Sequence, residues 1–463
     1  MSGVAAMIAG LTAADIAEIT GGALRADPGL AVPGPVVIDS RETAPGAIFA
    51  AMAGDHADGH RFVPGALADG AALALVTAEV EGPAVVVDDV PAAMAALARR
   101  SLEVLRERGE ITVIAITGSQ GKTSVKDMLA GVLGDQAPTV APRGSFNNEL
   151  GVPLTVLRAD ADTRYLVVEM GARGIGHIAY LCGIAPPDIG VVLNVGSAHL
   201  GEFGTPEITA LAKGELVEAV GSGGVAVLNA DDHRVAAMAS RTAARVATFG
   251  FAGEDVRLTG EVTTDAAGHP HVLARVEGAD RDLTVAQLGP HQVLNAAAAL
   301  AAARAAGIAT EAAVASLATA GPRSPMRMER HERADGVIVV NDAYNANPES
   351  MEAALRALAG LADTAHSVAV LGSMLELGER AREDHEAVGA LAASLGIGRV
   401  IAVGDHAEDI ARGAGAIAEV AATPADAIRT LDRSLRPGHV VLVKASRGER
   451  LERVADALLA ADR

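Results

Sequence analysis

The sequence predicts an α/β protein of three domains built on mostly parallel sheets, and three observations carry that expectation. Short Val/Ile/Leu runs alternate with Ala-rich helical stretches along most of the chain, the pattern of strands buried by crossover helices. At 463 residues the chain is long enough for three domains of ordinary size. The alternation is interrupted by turn-rich segments, most clearly G-P-R-S-P at 321–325.

Taken in order, residues 1–105 form the first expected domain, a small α/β unit. It has strand-like runs at 36–40 (V-V-I-D-S), 47–52 (A-I-F-A-A-M) and 84–88 (A-V-V-V-D). An Arg/Glu-rich amphipathic helix near 92–108 leads out of it. Residues 106–320 form the second, a P-loop-type domain with strands at 111–117, 165–170, 189–195 and 225–229. Helices are expected from Gly121, at 206–220 and at 291–306. Residues 321–463 form the third, Rossmann-like in its alternation, with strands at 336–341, 367–372, 399–403 and 439–444.

Composition narrows the partners. The chain is 50% hydrophobic but 2% aromatic with no Trp, so Ala, Val and Leu must fill the cores. Lys+Arg number 38 against 58 Asp+Glu, a formal net charge of −20 that repels nucleic acid and anionic membranes. The single cysteine, Cys182, excludes an intrachain disulfide and fits a reducing cytoplasm. The apolar start carries no leading basic residue and soon meets Asp15, so no signal peptide is expected. The most apolar later stretch, 293–303, contains Asn295 and stops at Arg304. That is short of the ~20 residues a spanning helix needs, so no membrane insertion is expected.

The chemistry starts at T-G-S-Q-G-K-T-S, residues 117–124, directly after the apolar run 111–116. Strand, glycine turn and helix bring backbone N–H groups together on an anion. Gly118, Ser119, Gln120, Gly121, Lys122, Thr123 and Ser124 are the candidate phosphate cradle. Lys122 would reach the β/γ-phosphates and the Thr123 hydroxyl would hold Mg²⁺. Ile116 stands where a Walker A loop has its first glycine, which points away from ordinary kinases and GTPases. Glu169 ends an apolar strand before a glycine-rich loop, and His199 follows a second strand end. Both are metal-ligand candidates at a carboxyl sheet edge, where open α/β sheets bind ligands. The alternatives are a carboxylate turned to solvent and a structural histidine.

Together these segments resemble the Mur ligase family, ATP-dependent enzymes that build the peptide stem of bacterial peptidoglycan. The family loop T-G-(S/T)-x-G-K-T accounts for the absent first glycine. Further matches are Glu169 with Gly171, Asn194 and Val195 with His199, and Ala212, Lys213, Glu215 and Leu216. His291, Asn295, Ala298 and Ala299 follow, then Arg327, Met328, Glu329 and Arg330. The resemblance implies that His291 and Asn295 contact the nucleotide and that Arg327 reaches its phosphates from the third domain. It implies two magnesium ions, held through Thr123, Glu169 and His199, and a carbamate on Lys213; an ordinary solvent-facing helical lysine is the other reading.

The stretch N-D-A-Y-N-A-N-P-E-S-M at 341–351 resembles the members that add D-alanyl-D-alanine to UDP-N-acetylmuramoyl-tripeptide. Segments 370–379, with His385, and 443–448 agree, although Ala445 replaces the family's usual glycine. By resemblance Asp342 meets the ribose, and Tyr344, Asn345 and Asn347 grip the dipeptide. An Asx-type turn before Pro348 explains Asn347 equally well. Asp39, Ser40 and Arg41 resemble the first-domain segment that cradles UDP; a polar turn is the alternative. The resemblance also implies an acyl-phosphate route, a third domain that closes over the site, and a cytoplasmic enzyme of cell-wall synthesis, here expected to be a monomer. The rivals are a folylpolyglutamate synthase, which lacks the first domain, the tripeptide-adding member of the family, which has a different 341–351 loop, and a P-loop ATPase that binds nucleotide sugars without making a bond.

Overall fold

The computed structural model describes residues 10–54, 58–109, 111–196 and 205–460. Its three sheets follow the three blocks of alternation. The first has five strands in the order Ala23–Arg25, Ala84–Val86, Leu73–Val76, Ile48–Ala50, Val36–Val37, all parallel except the edge strand Ala23–Arg25. The run at 36–40 is strand only to Val37. Asp39 then caps a short 3₁₀ turn, Ser40–Glu42, by accepting the backbone N–H of Arg41.

The central sheet has nine strands. Thr112–Thr117 is an interior strand, between Tyr165–Glu169 on one side and Ile189–Val192 on the other. Its last five residues are buried, which its Val/Ile/Ala content requires of a strand covered on both faces. The chain runs from this strand to Thr139–Val140 and Tyr165–Glu169 on one side and then crosses to Ile189–Val192 on the other, so its carboxyl end is a topological switch point. Beyond Val225–Asn229 and Arg245–Gly250, the strand Val256–Thr264 carries an antiparallel extension, Pro270–Val276 and Ala279–Thr284. The hairpin turns through Glu277 and Gly278, both at positive φ (54° and 77°), the two-residue turn whose twist matches paired strands.

Helix Gln292–Ala305 explains the apolar stretch noted above. Eleven of its residues are buried, against the core that also holds helix Lys122–Gly134, so it is a core helix apolar on every side. No helix among the described residues is long and apolar enough to cross a membrane. Cys182 lies in the core with its Sγ 3.6 Å from Met170 Sδ, and burial pushes its thiol up to about 12.

The third sheet orders its six strands as Glu329–Glu332, Ile338–Asn341, Val440–Lys444, Ser367–Leu371, Arg399–Val403, Ala418–Ala421. Five are parallel and Glu329–Glu332 is antiparallel. The chain enters this sheet through residues 318–328, which form no regular element.

Candidate active site

The phosphate loop is built as its spacing suggests. Gly121 turns at φ 81°, and a Cβ there would come within 2.5 Å of Asn295 Oδ1, so both conformation and space require glycine. Helix Lys122–Gly134 starts with no side-chain cap, leaving its first N–H groups for a ligand. Asn194 holds the loop from beneath: its Oδ1 accepts the Gln120 N–H at 3.0 Å and its backbone carbonyl accepts that of Ser119 at 3.1 Å. Lys122 Nζ donates to Gly118 O at 2.6 Å, and burial holds this ammonium below its ordinary value while Glu169 pulls it back up.

Glu169 is buried at the end of its strand. Its Oε2 accepts from Thr123 Oγ1 at 3.0 Å and its Oε1 from Asn147 Nδ2 at 2.8 Å. Thr123 Oγ1 also lies 2.9 Å from Ser145 Oγ. From the third block, Arg327 Nη2 donates to Ser145 Oγ at 3.1 Å and to Thr123 Oγ1 at 3.4 Å, and its guanidinium sits 4.2 Å above the Tyr344 ring. The segment that enters the third sheet thus reaches the phosphate loop. His199 lies outside the described residues, and the described residues contain no cluster of three or more His, Cys, Asp or Glu suited to a metal.

Lys213 is not a solvent-facing lysine. It is 4% exposed, and burial, with the nearby Lys122 charge, drives its ammonium well below the ordinary value. Glu215, two residues on, accepts the backbone N–H groups of Gly176 (2.5 Å) and Ala179 (2.9 Å), which anchors helix Pro206–Ala219 beside the 173–179 segment. His291 is half-buried, with Nδ1 shielded from solvent and unpartnered among the described residues, and desolvation lowers it to about 4 against the opposing pull of Asp342. Asn295 Nδ2 donates to Gln292 Oε1 at 2.8 Å.

At the carboxyl edge of the third sheet, Asp342 pairs with Lys444 Nζ at 2.5 Å and accepts the Met328 N–H at 3.1 Å. Lys444 also donates to Asn345 O at 3.0 Å. Asn347 caps helix Pro348–Leu361: its Oδ1 accepts the Ser350 N–H at 2.8 Å, and Ser350 Oγ accepts the Asn347 N–H at 3.0 Å. Asn347 therefore satisfies the Asx reading and also faces the cleft.

These groups line one cavity of about 390 Å³. Residues 119–124, Glu169, Lys213, His291, Asn295, Arg327, Asp342, Tyr344, Asn345 and Asn347 all border it. Gly118 does not border it; its carbonyl accepts from Lys122 Nζ. The Asp39–Ser40–Arg41 segment does not border it; Arg41 there is exposed and pairs with Asp39, Nη2 to Oδ2 at 2.6 Å. Sequence reading missed Ser145, Asn147 and Lys444. Lys444 carried a signal, a lysine ending a five-residue buried strand, whereas Ser145 and Asn147 sit in a loop without periodicity.

A phosphate loop on one sheet facing the carboxyl edge of another defines a P-loop nucleotide enzyme with a two-sided cleft. Family comparison narrows this: "Mur ligase family, catalytic domain" matches residues 35–106, "Mur ligase middle domain" 116–303, and "Mur ligase, glutamate ligase domain" 326–447. The chain belongs to the Mur ligase family. It is 45% identical to the UDP-N-acetylmuramoyl-tripeptide--D-alanyl-D-alanine ligase of Mycobacterium tuberculosis over 98% of both chains. It is 32% identical to the Escherichia coli enzyme of that name over 91% of this chain and 93% of that one. Among solved structures, MurF from Acinetobacter baumannii superposes with a TM-score of 0.86 at 30% identity, covering 97% and 99% of the two chains. MurF from Thermotoga maritima in complex with ADP gives 0.79 at 31% identity, covering 92% and 97%.

Proposed function

We propose that this chain is an ATP-dependent ligase that joins D-alanyl-D-alanine to UDP-N-acetylmuramoyl-tripeptide, producing the pentapeptide precursor of peptidoglycan. The named relatives support the substrates. The observation that carries the mechanism is Arg327 reaching Thr123 and Ser145, which puts a cation from the segment entering the third sheet at the phosphate loop of the central one.

A carboxylate does not condense with an amine at neutral pH, because its oxygen is a poor leaving group. The tripeptide's terminal carboxylate first attacks the γ-phosphorus of ATP, ADP leaves, and an acyl phosphate forms. The dipeptide amine then attacks the acyl carbon, and inorganic phosphate departs from the tetrahedral intermediate. The first step brings two anions together, so catalysis rests on positioning and charge neutralisation. Lys122, Arg327 and the uncapped helix start at Gly121 supply positive charge to the triphosphate. His291 and Asn295 border the cleft where the nucleotide base would lie, and Asp342 is assigned the ribose.

The residues present fit magnesium. Among the described residues Glu169 accepts hydrogen bonds from two neutral donors, and the Thr123 hydroxyl adds a hard oxygen beside its carboxylate. Thr123 and Glu169 would hold a first ion, and His199 with a carbamylated Lys213 a second. Bound there, magnesium supplies Lewis-acid neutralisation of the phosphate oxygens. Lys213 suits carbamylation because burial favours its neutral, nucleophilic amine. Lys213→Ala should lose most activity and recover part of it with added short-chain carboxylates; full activity without rescue removes the assignment.

In this reading residues 1–105 bind the UDP moiety through Asp39, Ser40 and Arg41. Residues 106–320 bind ATP, and 321–463 bind the dipeptide through Tyr344, Asn345 and Asn347, neutral groups suited to a small zwitterion. The enzyme would act as a cytoplasmic monomer. The deciding experiment measures phosphate release. It should appear only when UDP-N-acetylmuramoyl-tripeptide and D-alanyl-D-alanine are both present, and sustained release with either omitted would sink the proposal.

A further inference from the structure

We infer that Lys126 and Asp127, a buried ion pair one turn beyond the phosphate loop, are positioning residues that set Arg327 against Thr123 and Ser145. The inference rests on the ligase reading above and adds to it how the arginine is held in place.

The pair sits on helix Lys122–Gly134, where Asp127 lies one turn below Thr123 on the same face. Lys126 is 1% and Asp127 2% exposed, with Nζ 2.7 Å from Oδ1. Lys126 Nζ also donates to Gly144 O (2.9 Å), Pro142 O (3.2 Å) and Ser324 Oγ (2.8 Å). Asp127 accepts the backbone N–H groups of Arg323 (3.1 Å) and Ser324 (2.9 Å) on Oδ2, and the Ser324 hydroxyl (3.1 Å) on Oδ1.

These partners fall on two segments. Pro142 and Gly144 lead directly into Ser145, the acceptor of Arg327. Arg323 and Ser324 lead directly into Arg327 itself. One buried pair therefore fixes the chain just before the donor and just before its acceptor, both referred to the helix that carries Thr123.

The backbone between Ser324 and Arg327 leaves little slack. Met326 and Met328, flanking the arginine, both adopt positive φ (58° and 50°), which an unbranched L-residue adopts only when its surroundings enforce it. Asp127 enforces it from one side. From the other, Asp342 accepts the Met328 N–H at 3.1 Å. Arg327 Nε is buried without a partner among the described residues, so the held guanidinium keeps a donor for a ligand. A buried ion pair is weak support for stability, since desolvation offsets much of its attraction. Its directed bonds are what this site uses.

The test is a double-mutant cycle on steady-state kinetics, reading phosphate release with both substrates. Ser324→Ala removes one hydroxyl that bridges both charges. It should lower kcat by roughly tenfold to a hundredfold, the cost of a small misplacement, with KM for the UDP substrate unchanged. In an Arg327→Lys background the same change should cost less than about twofold, because the group it positions is already gone. Asp127→Asn should show the same dependence on Arg327, and thermal melting confirms that each variant is folded. Additive losses in the two backgrounds, or an unchanged kcat for Ser324→Ala, overturn the inference while leaving the ligase reading intact. A wild-type protein that releases no phosphate with both substrates overturns the ligase reading and the inference with it.

Discussion

Glu169 and Asp342 stand at equivalent places, each at the carboxyl end of a buried parallel strand facing the same cleft, yet their charges are handled in opposite ways. Glu169 accepts its hydrogen bonds from a hydroxyl and an amide, both neutral, while Lys122 interacts with it through its charge. Asp342 is held by the Lys444 ammonium and a backbone N–H, so its charge is balanced within the protein. In the proposed reading the first meets a cation from solution. The second would accept a hydroxyl of the nucleotide in that reading, while it ties Lys444 and Met328 together at the edge of its own sheet. Position at a sheet edge makes a carboxylate available, and the charge of its donors decides what it is available for.

The largest expected effect tests the balanced side. Lys444→Met leaves Asp342 buried and unpaired, which should destabilise the fold by about 3–5 kcal/mol in urea unfolding. Adding Asp342→Asn to that variant should restore much of the loss; no restoration would mean that Lys444 acts independently of Asp342. On the unbalanced side, Glu169→Gln keeps the shape but removes the charge. It should reduce kcat by about 10²–10³-fold with little change in melting temperature, and raising magnesium should not restore it. Asp342→Asn, by contrast, should act mainly on KM for ATP.

A third prediction concerns pH. His291 lies between these carboxylate sites and is held near 4, below its ordinary 6.5, so it is neutral when folded. The unfolded chain takes up the proton first as pH falls, so its contribution to stability declines from about pH 6.5 and is exhausted near 4. The span is on the order of 3 kcal/mol. The difference in unfolding free energy between wild type and His291→Gln, followed across that range, should carry this slope; a flat difference removes it. The smallest effect belongs to Asn347. Asn347→Ala should cost about 1 kcal/mol through the lost cap. Asn347→Asp should keep the cap yet raise KM for the dipeptide, and an unchanged KM would confine Asn347 to capping.

What sequence made legible follows the range of the interactions. The phosphate loop was readable because strand, glycine turn, lysine and threonine are consecutive, and Glu169 because its strand ends there. The Asp342–Lys444 pair joins residues 102 positions apart, and nothing in local periodicity links them. Asn147 and Ser145 derive their meaning from a loop whose course is set elsewhere. The antiparallel hairpin at 270–284 was overlooked because the alternating Val/Ala/Leu signal is diluted by Arg, His and Asp on its exposed face. Lys213 shows the reverse limit: its helix was expected, but only packing reveals which face of it is buried.

The lone thiol has a practical consequence. Cys182 is buried and stays protonated under ordinary conditions, so maleimide reagents should leave it untouched. Paired reporter cysteines introduced on the outer surfaces of the central and third sheets would then take fluorophores selectively without a cysteine-free background. Opening and closing of the cleft becomes measurable by energy transfer in an otherwise native chain.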